Sequence, residues 1–239
     1  MKKILLLVLC LVITGCTSKN NTEEKEVYKD VYLDLTNQMI KEDTGTSMEM
    51  CQFVGEDVDD QITSINEQLQ EFYDYYYEIY KDEDLYAIEL YNYPYTNERY
   101  VNLVYTFLEI PNYATDGNIS SLCYDKKEGK FIDDDEAFKL ADITYEQLEE
   151  AMSEYVGKKE NYTGIEIREI AYYIDENSDV TFIVNYCSSI EGAIDECTSF
   201  YIYHNGEIQD TENRLDLMDL DLLDHTKTYD LALRSEAKG

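Results

Sequence analysis

Four cysteines far from the N-terminus, Cys51, Cys123, Cys187 and Cys197, have the clearest capacity for chemistry in this 239-residue chain. In an oxidising compartment four cysteines can form disulfides in three pairings. Cys187 and Cys197 fall at the facing ends of two predicted strands, so their Cα atoms could come within the roughly 4.4–6.8 Å that a disulfide needs. The spacing favours a Cys187–Cys197 bridge and, second, a Cys51–Cys123 bridge, with buried reduced thiols as the alternative.

The sequence supports metal binding and acid–base catalysis less than it supports disulfide formation. No Cys-x-x-Cys pair with a neighbouring histidine is present, which disfavours zinc. The acidic runs Asp133–Glu136 and Asp216–Asp224 lack EF-hand spacing, and they fit a helix N-terminus and a solvated face instead. His204 and His225 are the only histidines. The motifs of serine hydrolases, phosphate-binding loops and zinc proteases are also absent. We therefore expect no enzyme, no metal and no cofactor.

The N-terminus has the pattern of an export signal. Lys2 and Lys3 precede an apolar run over Ile4–Ile13, which is too short to cross a bilayer. The end of this run, Ile13-Thr14-Gly15-Cys16, resembles the lipobox of bacterial lipoproteins. The resemblance implies cleavage after residue 15 and a diacylglyceryl lipid on Cys16.

Cys10 is the rival lipidation position, but Leu9 in front of it is too large for that cleavage. A plain secretory signal is the alternative. We predict a signal peptide over 1–15, a polar tether over 16–28 and a location at the extracytoplasmic face of the cell membrane, since two acyl chains anchor a protein stably.

Charge and composition narrow the class of protein. The chain has 52 acidic and 19 basic residues, a net charge of −33, and 44% of its residues are hydrophobic. Residues 1–15 contain two lysines and no acid, so cleavage would leave 17 basic residues and a charge of −35. Such a chain can bury a core, but it does not suit nucleic acid, whose phosphates need Lys and Arg. It suits a cationic partner.

Hydrophobic periodicity predicts two main helices. Seven apolar residues from Val58 to Ile79 alternate at spacings of four and three, with Asp57 as the expected N-cap. The second helix begins with a capping box at Thr144 and ends at Gly157.

Before, between and after the two helices, apolar runs and turn residues predict strands over 31–40, 47–54, 85–91, 100–110, 119–124, 131–132, 165–174, 180–187 and 198–203. A turn is expected near Pro94 and Asn97. We predict an α+β fold, a mostly antiparallel sheet with two main helices packed on it, as a single domain or two fused halves over 29–210. An acidic tail follows over 211–239.

Tyrosine is abundant, with 24 residues in the chain and a concentration between Tyr73 and Tyr95. A tyrosine ring has a flat apolar body and a polar tip, which suits contacts with proteins or glycans. The alternative is that these rings fill the edges of a core. The sequence leaves both interpretations open.

Two stretches carry a family resemblance. Ile65-Asn66 lies within Val58–Leu69, and Tyr124-Asp125-x-x-x-Gly129-Lys130-x-Ile132 leads to Phe138 within Ser121–Phe138. These stretches resemble the extracellular region shared by the anti-sigma factor RsiV and the peptidoglycan deacetylase PdaC (the DUF4163/DUF3298 type). The resemblance implies the fold, a cell-surface setting and lysozyme as a possible partner.

The departures from that family limit what carries over. Its Gly-Gly-Ala-His segment is replaced by Asn-Tyr-Ala-Thr-Asp-Gly-Asn over Asn112–Asn118, and no deacetylase domain is expected here. We therefore expect a lipid-anchored extracytoplasmic binding protein whose ligand could be a cationic protein such as lysozyme. The alternatives are an envelope enzyme acting on peptidoglycan or another glycan, or an accessory lipoprotein of sporulation or envelope assembly.

Overall fold

The computed structural model describes residues 27–41, 46–81, 87–110, 116–158, 162–190 and 196–210, which form ten strands and three helices. The helices are α1 (Asp60–Tyr80), α2 (Asp134–Leu140) and α3 (Tyr145–Gly157). The strands are β1 (Tyr32–Lys41), β2 (Thr46–Val54), β3 (Ala87–Thr96), β4 (Tyr100–Ile110), β5 (Asp116–Asp125), β6 (Lys130–Ile132), β7 (Tyr162–Ile174), β8 (Val180–Ile190), β9 (Glu196–His204) and β10 (Glu207–Asp210). The predicted signal peptide, Cys16, most of the tether, His225 and the acidic tail lie outside the described residues.

The class is α+β with mostly antiparallel pairing, as predicted, but two details of the prediction are wrong. The described strands form two sheets, with orders β1-β2-β3-β4-β5-β6 and β10-β9-β8-β7. A third helix, α2, follows the acidic run Asp133–Glu136, where a helix N-terminus was expected, but the predicted fold counted only the two longer helices. With seven residues α2 is too short to show an apolar period of its own.

The one parallel pair in the described sheets joins β2 to β3, through Ser47 opposite Glu89 and Met48 opposite Leu90. Parallel neighbours need a crossover connection, which α1 supplies. Beyond this short contact no further ladder pairing of β3 with β2 occurs among the described residues, and a proline, which has no N–H to donate, is tolerated in such a stretch. The strand therefore runs through Pro94, and the chain turns at Asn97, the second of the two residues near which a turn was predicted.

Helix α1 covers one face of the six-stranded sheet. Ile62, Leu69 and Tyr73 are buried in a core with residues of β1 to β5. Asp59, rather than the predicted Asp57, caps the helix and accepts hydrogen bonds from the N–H groups of residues 61 and 62. The bond from Ile62 lowers the pKa of Asp59, and the Lys29 ammonium lowers it further. This stabilisation is present at neutral pH and is lost as the pH falls through the lowered value.

Helices α2 and α3 pack against the four-stranded sheet around a second core. Leu148, Met152 and Val156 form the buried face of α3. Its capping box is confirmed, with Thr144 and Gln147 bonded reciprocally.

The two sheets are joined along β7, the edge strand of the four-stranded sheet. The N–H of Ile174 donates to Asn102 Oδ1 of β4 at 2.9 Å, and the N–H of Tyr172 donates to Ser121 Oγ of β5 at 2.9 Å. A row of unpaired backbone groups at a strand edge would otherwise be left unsatisfied in the interior. Side chains of one sheet therefore complete the hydrogen bonding of the other.

The segment that precedes β1 is fixed to two turns. The N–H of Lys29 donates to the Lys126 carbonyl at 3.0 Å, and its ammonium lies 3.2 Å from Asp59 Oδ2. The N–H of Asp30 donates to Asp57 Oδ2 at 2.7 Å, while the Asp57 N–H returns a bond to the Asp30 carbonyl. The chain from the N-terminus therefore enters the domain beside the start of α1.

Candidate functional site

The tyrosine-rich segment divides into core and surface. Tyr73, Tyr93 and Tyr95 are buried, whereas Tyr75 is 62% exposed and Tyr77 is 37% exposed. Both exposed rings lie on the C-terminal half of α1. Most of the described tyrosines of this segment therefore contribute to the core, whereas Tyr75 and Tyr77 are exposed and leave the contact interpretation a prediction.

Each exposed ring rests against another aromatic ring. Tyr75 meets Tyr76 edge to face with centroids 4.9 Å apart, and Tyr76 in turn lies 4.1 Å from Phe107 of β4. Tyr77 stacks on the buried Tyr73 at 5.9 Å. Burial raises the pKa of Tyr73 to about 12, with Tyr77 and Asp74 contributing. Because these rings are already held in place, a ligand that contacts them loses little side-chain entropy on binding.

Four exposed carboxylates run along the outer surface of the same helix. They occur at positions i, i+4, i+7 and i+11 and belong to Glu67, Glu71, Asp74 and Glu78. With 3.6 residues per turn, the four lie within about 60° of the helix circumference. We call this row the acidic ridge; it lies opposite the buried face of α1 and was not singled out by the sequence analysis.

The acidic ridge is unfavourable for the helix itself. Its members form three like-charge pairs at spacings of three or four, each of which destabilises a helix by roughly 0.2–0.5 kcal/mol. Glu78 also lies in the last turn of α1, where the helix dipole disfavours negative charge, and no basic residue occurs in that turn. The acidic ridge therefore lowers the stability of the helix that carries it.

Only the C-terminal part of the acidic ridge has neighbours that offset its charge. Lys81 Nζ lies 2.6 Å from a Glu78 oxygen, and Gln70 donates to Asp74 Oδ1 at 2.8 Å. Within the described ranges no lysine or arginine pairs with Glu67 or Glu71. Together, a row of carboxylates and two fixed tyrosine rings form a surface that can hold a cationic ligand.

The structure does not bring Cys51 and Cys123 together. Both side chains are buried and neither forms a disulfide; they lie on β2 and β5 of one sheet, with β3 and β4 between them. Three strand spacings separate such positions by about 14 Å, well beyond the reach of a disulfide. The predicted Cys51–Cys123 bridge is therefore wrong for this fold. Burial raises the pKa of the Cys123 thiol, which keeps it protonated and unreactive.

The Cys187–Cys197 bridge stays a prediction. The backbone places the two positions on the antiparallel neighbours β8 and β9, beside a shift in register between Tyr186 and Ser188. The side chains of both cysteines lie outside the described part of the structure.

The remaining candidates have local structural roles. His204 exchanges hydrogen bonds with Thr181 at 2.8 Å and Asn205 at 3.0 Å, at the end of β9. Asp133 caps α2 by accepting the N–H of Glu136, which confirms the helix-terminus interpretation of this acidic run. The described ranges contain no group of three or more His, Cys, Asp or Glu side chains that could hold a metal ion.

None of the three helices in the described ranges has the length and apolar character needed to cross a bilayer. Comparisons with family models and with curated proteins find no match to this sequence.

Proposed function

We propose that this protein is a lipid-anchored, extracytoplasmic binding protein that captures a cationic protein on the outer face of α1. The acidic ridge carries the proposal, because it retains charge that the helix alone would be more stable without. The fixed rings of Tyr75 and Tyr77 beside it offer the amphipathic contact area typical of binding hot spots.

The overall charge supports the same partner class. The charge of −35 expected after cleavage, 17 basic against 52 acidic residues, would create a field that accelerates encounter with a positively charged protein and weakens as salt is added. A lysozyme-like defence protein has the required charge, and the resemblance to the RsiV/PdaC extracellular region points to the same partner. The lipid on Cys16 would hold this surface outside the cell, where such a protein is met.

If the acidic ridge binds the partner, removal of charge from the ridge should weaken binding more than removal of charge from another surface. The double variant Glu67→Gln/Glu71→Gln should bind lysozyme about fivefold more weakly at low salt, because two carboxylates without cationic neighbours are lost. Its thermal stability should stay equal or rise slightly, since two of the three like-charge pairs are removed. Titration of immobilised lysozyme at low and moderate salt measures the first effect, and thermal unfolding measures the second.

The matched control removes the same amount of negative charge from a different helix. Glu149→Gln/Glu150→Gln removes two exposed carboxylates from α3 and should leave lysozyme binding nearly unchanged. Equal weakening by both double variants would show that only the overall field matters. No retention of lysozyme at either salt concentration would remove it as the partner.

Anchoring has a separate test. Cys16→Ala should release the protein from membranes or leave its precursor uncleaved, because the acceptor sulfur for the lipid is gone. Cys10→Ala is the matched control and should be processed and retained normally. Normal processing of Cys16→Ala together with unchanged membrane retention would contradict lipidation.

A further inference from the structure

We infer that the outer face of α1 selects arginine over lysine in its cationic partner, so that the ligand is an arginine-rich segment rather than any basic surface. This inference rests on the proposed function and adds a requirement to it. The observation behind it is the placement of exposed aromatic rings among the carboxylates, which a purely electrostatic site does not need.

Tyr75 is the centre of this arrangement. It follows Glu71 by four residues and precedes Glu78 by three, so both carboxylates are its neighbours on the helix surface, with Cβ atoms about 5–6 Å away. At 62% exposure its ring is open to a ligand, and Tyr76 holds it from the side. A cation bound to either carboxylate would therefore lie against this ring.

Tyr77 repeats the arrangement on the other flank of the acidic ridge. It follows Asp74 by three residues and is stacked on the buried Tyr73, with centroids 5.9 Å apart and planes 20° apart. One face of the ring is thus used by the core of the protein. The 37% of Tyr77 that stays exposed offers an aromatic surface beside a second carboxylate.

The chemistry of the two basic side chains differs at such a surface. The planar guanidinium of arginine stacks on an aromatic ring while it donates two parallel hydrogen bonds to a carboxylate. The ammonium of lysine is a strongly hydrated point charge that gains less from the ring. Carboxylates alone would attract both, so selectivity depends on the tyrosines.

The test compares two fluorescein-labelled peptides, eight arginines and eight lysines, by fluorescence anisotropy on the full chain at one salt concentration. We expect the arginine peptide to bind about fivefold more tightly. Tyr75→Leu/Tyr77→Leu should abolish this preference, while Tyr32→Leu, at a 48% exposed tyrosine on β1, should retain it. Circular dichroism confirms that each variant is folded.

Two outcomes would overturn the inference, and they separate it from the proposed function. If both peptides bind equally and Glu67→Gln/Glu71→Gln weakens both, the surface binds cations without selecting arginine. If the arginine preference survives the loss of both tyrosines, the rings do not cause it. If neither the arginine peptide nor the lysine peptide binds, the proposed function and the inference are both wrong.

Discussion

Gly55→Ala should lower the free energy of unfolding by at least about 3 kcal/mol, because it combines backbone strain with a backbone collision. Gly55 has φ +143°, a conformation that residues with a Cβ rarely adopt. A Cβ built there would lie 2.0 Å from the Asp30 carbonyl oxygen and 2.8 Å from its carbon. Asp30 cannot retreat without breaking its two bonds to Asp57, which fix the entry segment to the start of α1.

Alanine substitutions at two other glycines separate the cost of backbone strain from the cost of the steric clash. Gly206 has φ +85° with no atom within 4 Å of a built Cβ, so Gly206→Ala should cost only about 1 kcal/mol. Gly157 ends α3 in ordinary helical backbone with equally open space, so Gly157→Ala should be neutral or stabilising by roughly 0.5–1 kcal/mol. Urea unfolding of the three variants measures their free energies of unfolding and so gives the order of the three effects. If Gly55→Ala cost no more than Gly206→Ala, the tight packing of the entry segment would be refuted.

Local sequence patterns identified most elements but placed some boundaries wrongly. The predicted apolar stripe of α1 included Val58 and Ile79, which are 40% and 42% exposed. Val58 precedes the N-cap Asp59 and so lies outside the helix. At the other end, a strict alternation of four and three drifts by about 20° per seven residues on a straight helix, so Ile79 turns away from the core. Asp57 was mistaken for the N-cap because its actual partner, Asp30, lies 27 residues away in sequence.

The candidate site was only half visible in the sequence. The sequence shows the spacing of the four ridge carboxylates, Glu67, Glu71, Asp74 and Glu78, which can be recognised once the helix is assigned. The sequence does not show which tyrosines stay exposed, because Tyr73 and Tyr75 have similar neighbours in sequence. Only the side of α1 that meets the sheet distinguishes them, and that side is set by tertiary packing.

The junction between the sheets gives the second large prediction: Asn102→Leu should destabilise the protein by about 3 kcal/mol. Asn102 is fully buried and donates to the carbonyls of Ile174 at 3.0 Å and Tyr95 at 3.3 Å. Leucine is similar in size but bonds to neither, and it leaves the Ile174 N–H without its acceptor inside the protein. A buried donor left unsatisfied costs about 1–3 kcal/mol, and weaker penalties at the carbonyls add to it.

Hydrogen exchange makes this prediction specific to one amide. In the native protein the Ile174 N–H should exchange slowly, and in Asn102→Leu its exchange should accelerate more than that of neighbouring β7 amides. Asn97 also donates to the Ile174 carbonyl, at 3.2 Å, so the effects of Asn97→Ala and Asn102→Ala should not be additive. Unchanged protection of Ile174 in Asn102→Leu would show that the bond does not hold β7. The sheets would then be held together by their other contacts, such as the Tyr172–Ser121 bond and the ring contact between Tyr95 and Tyr173.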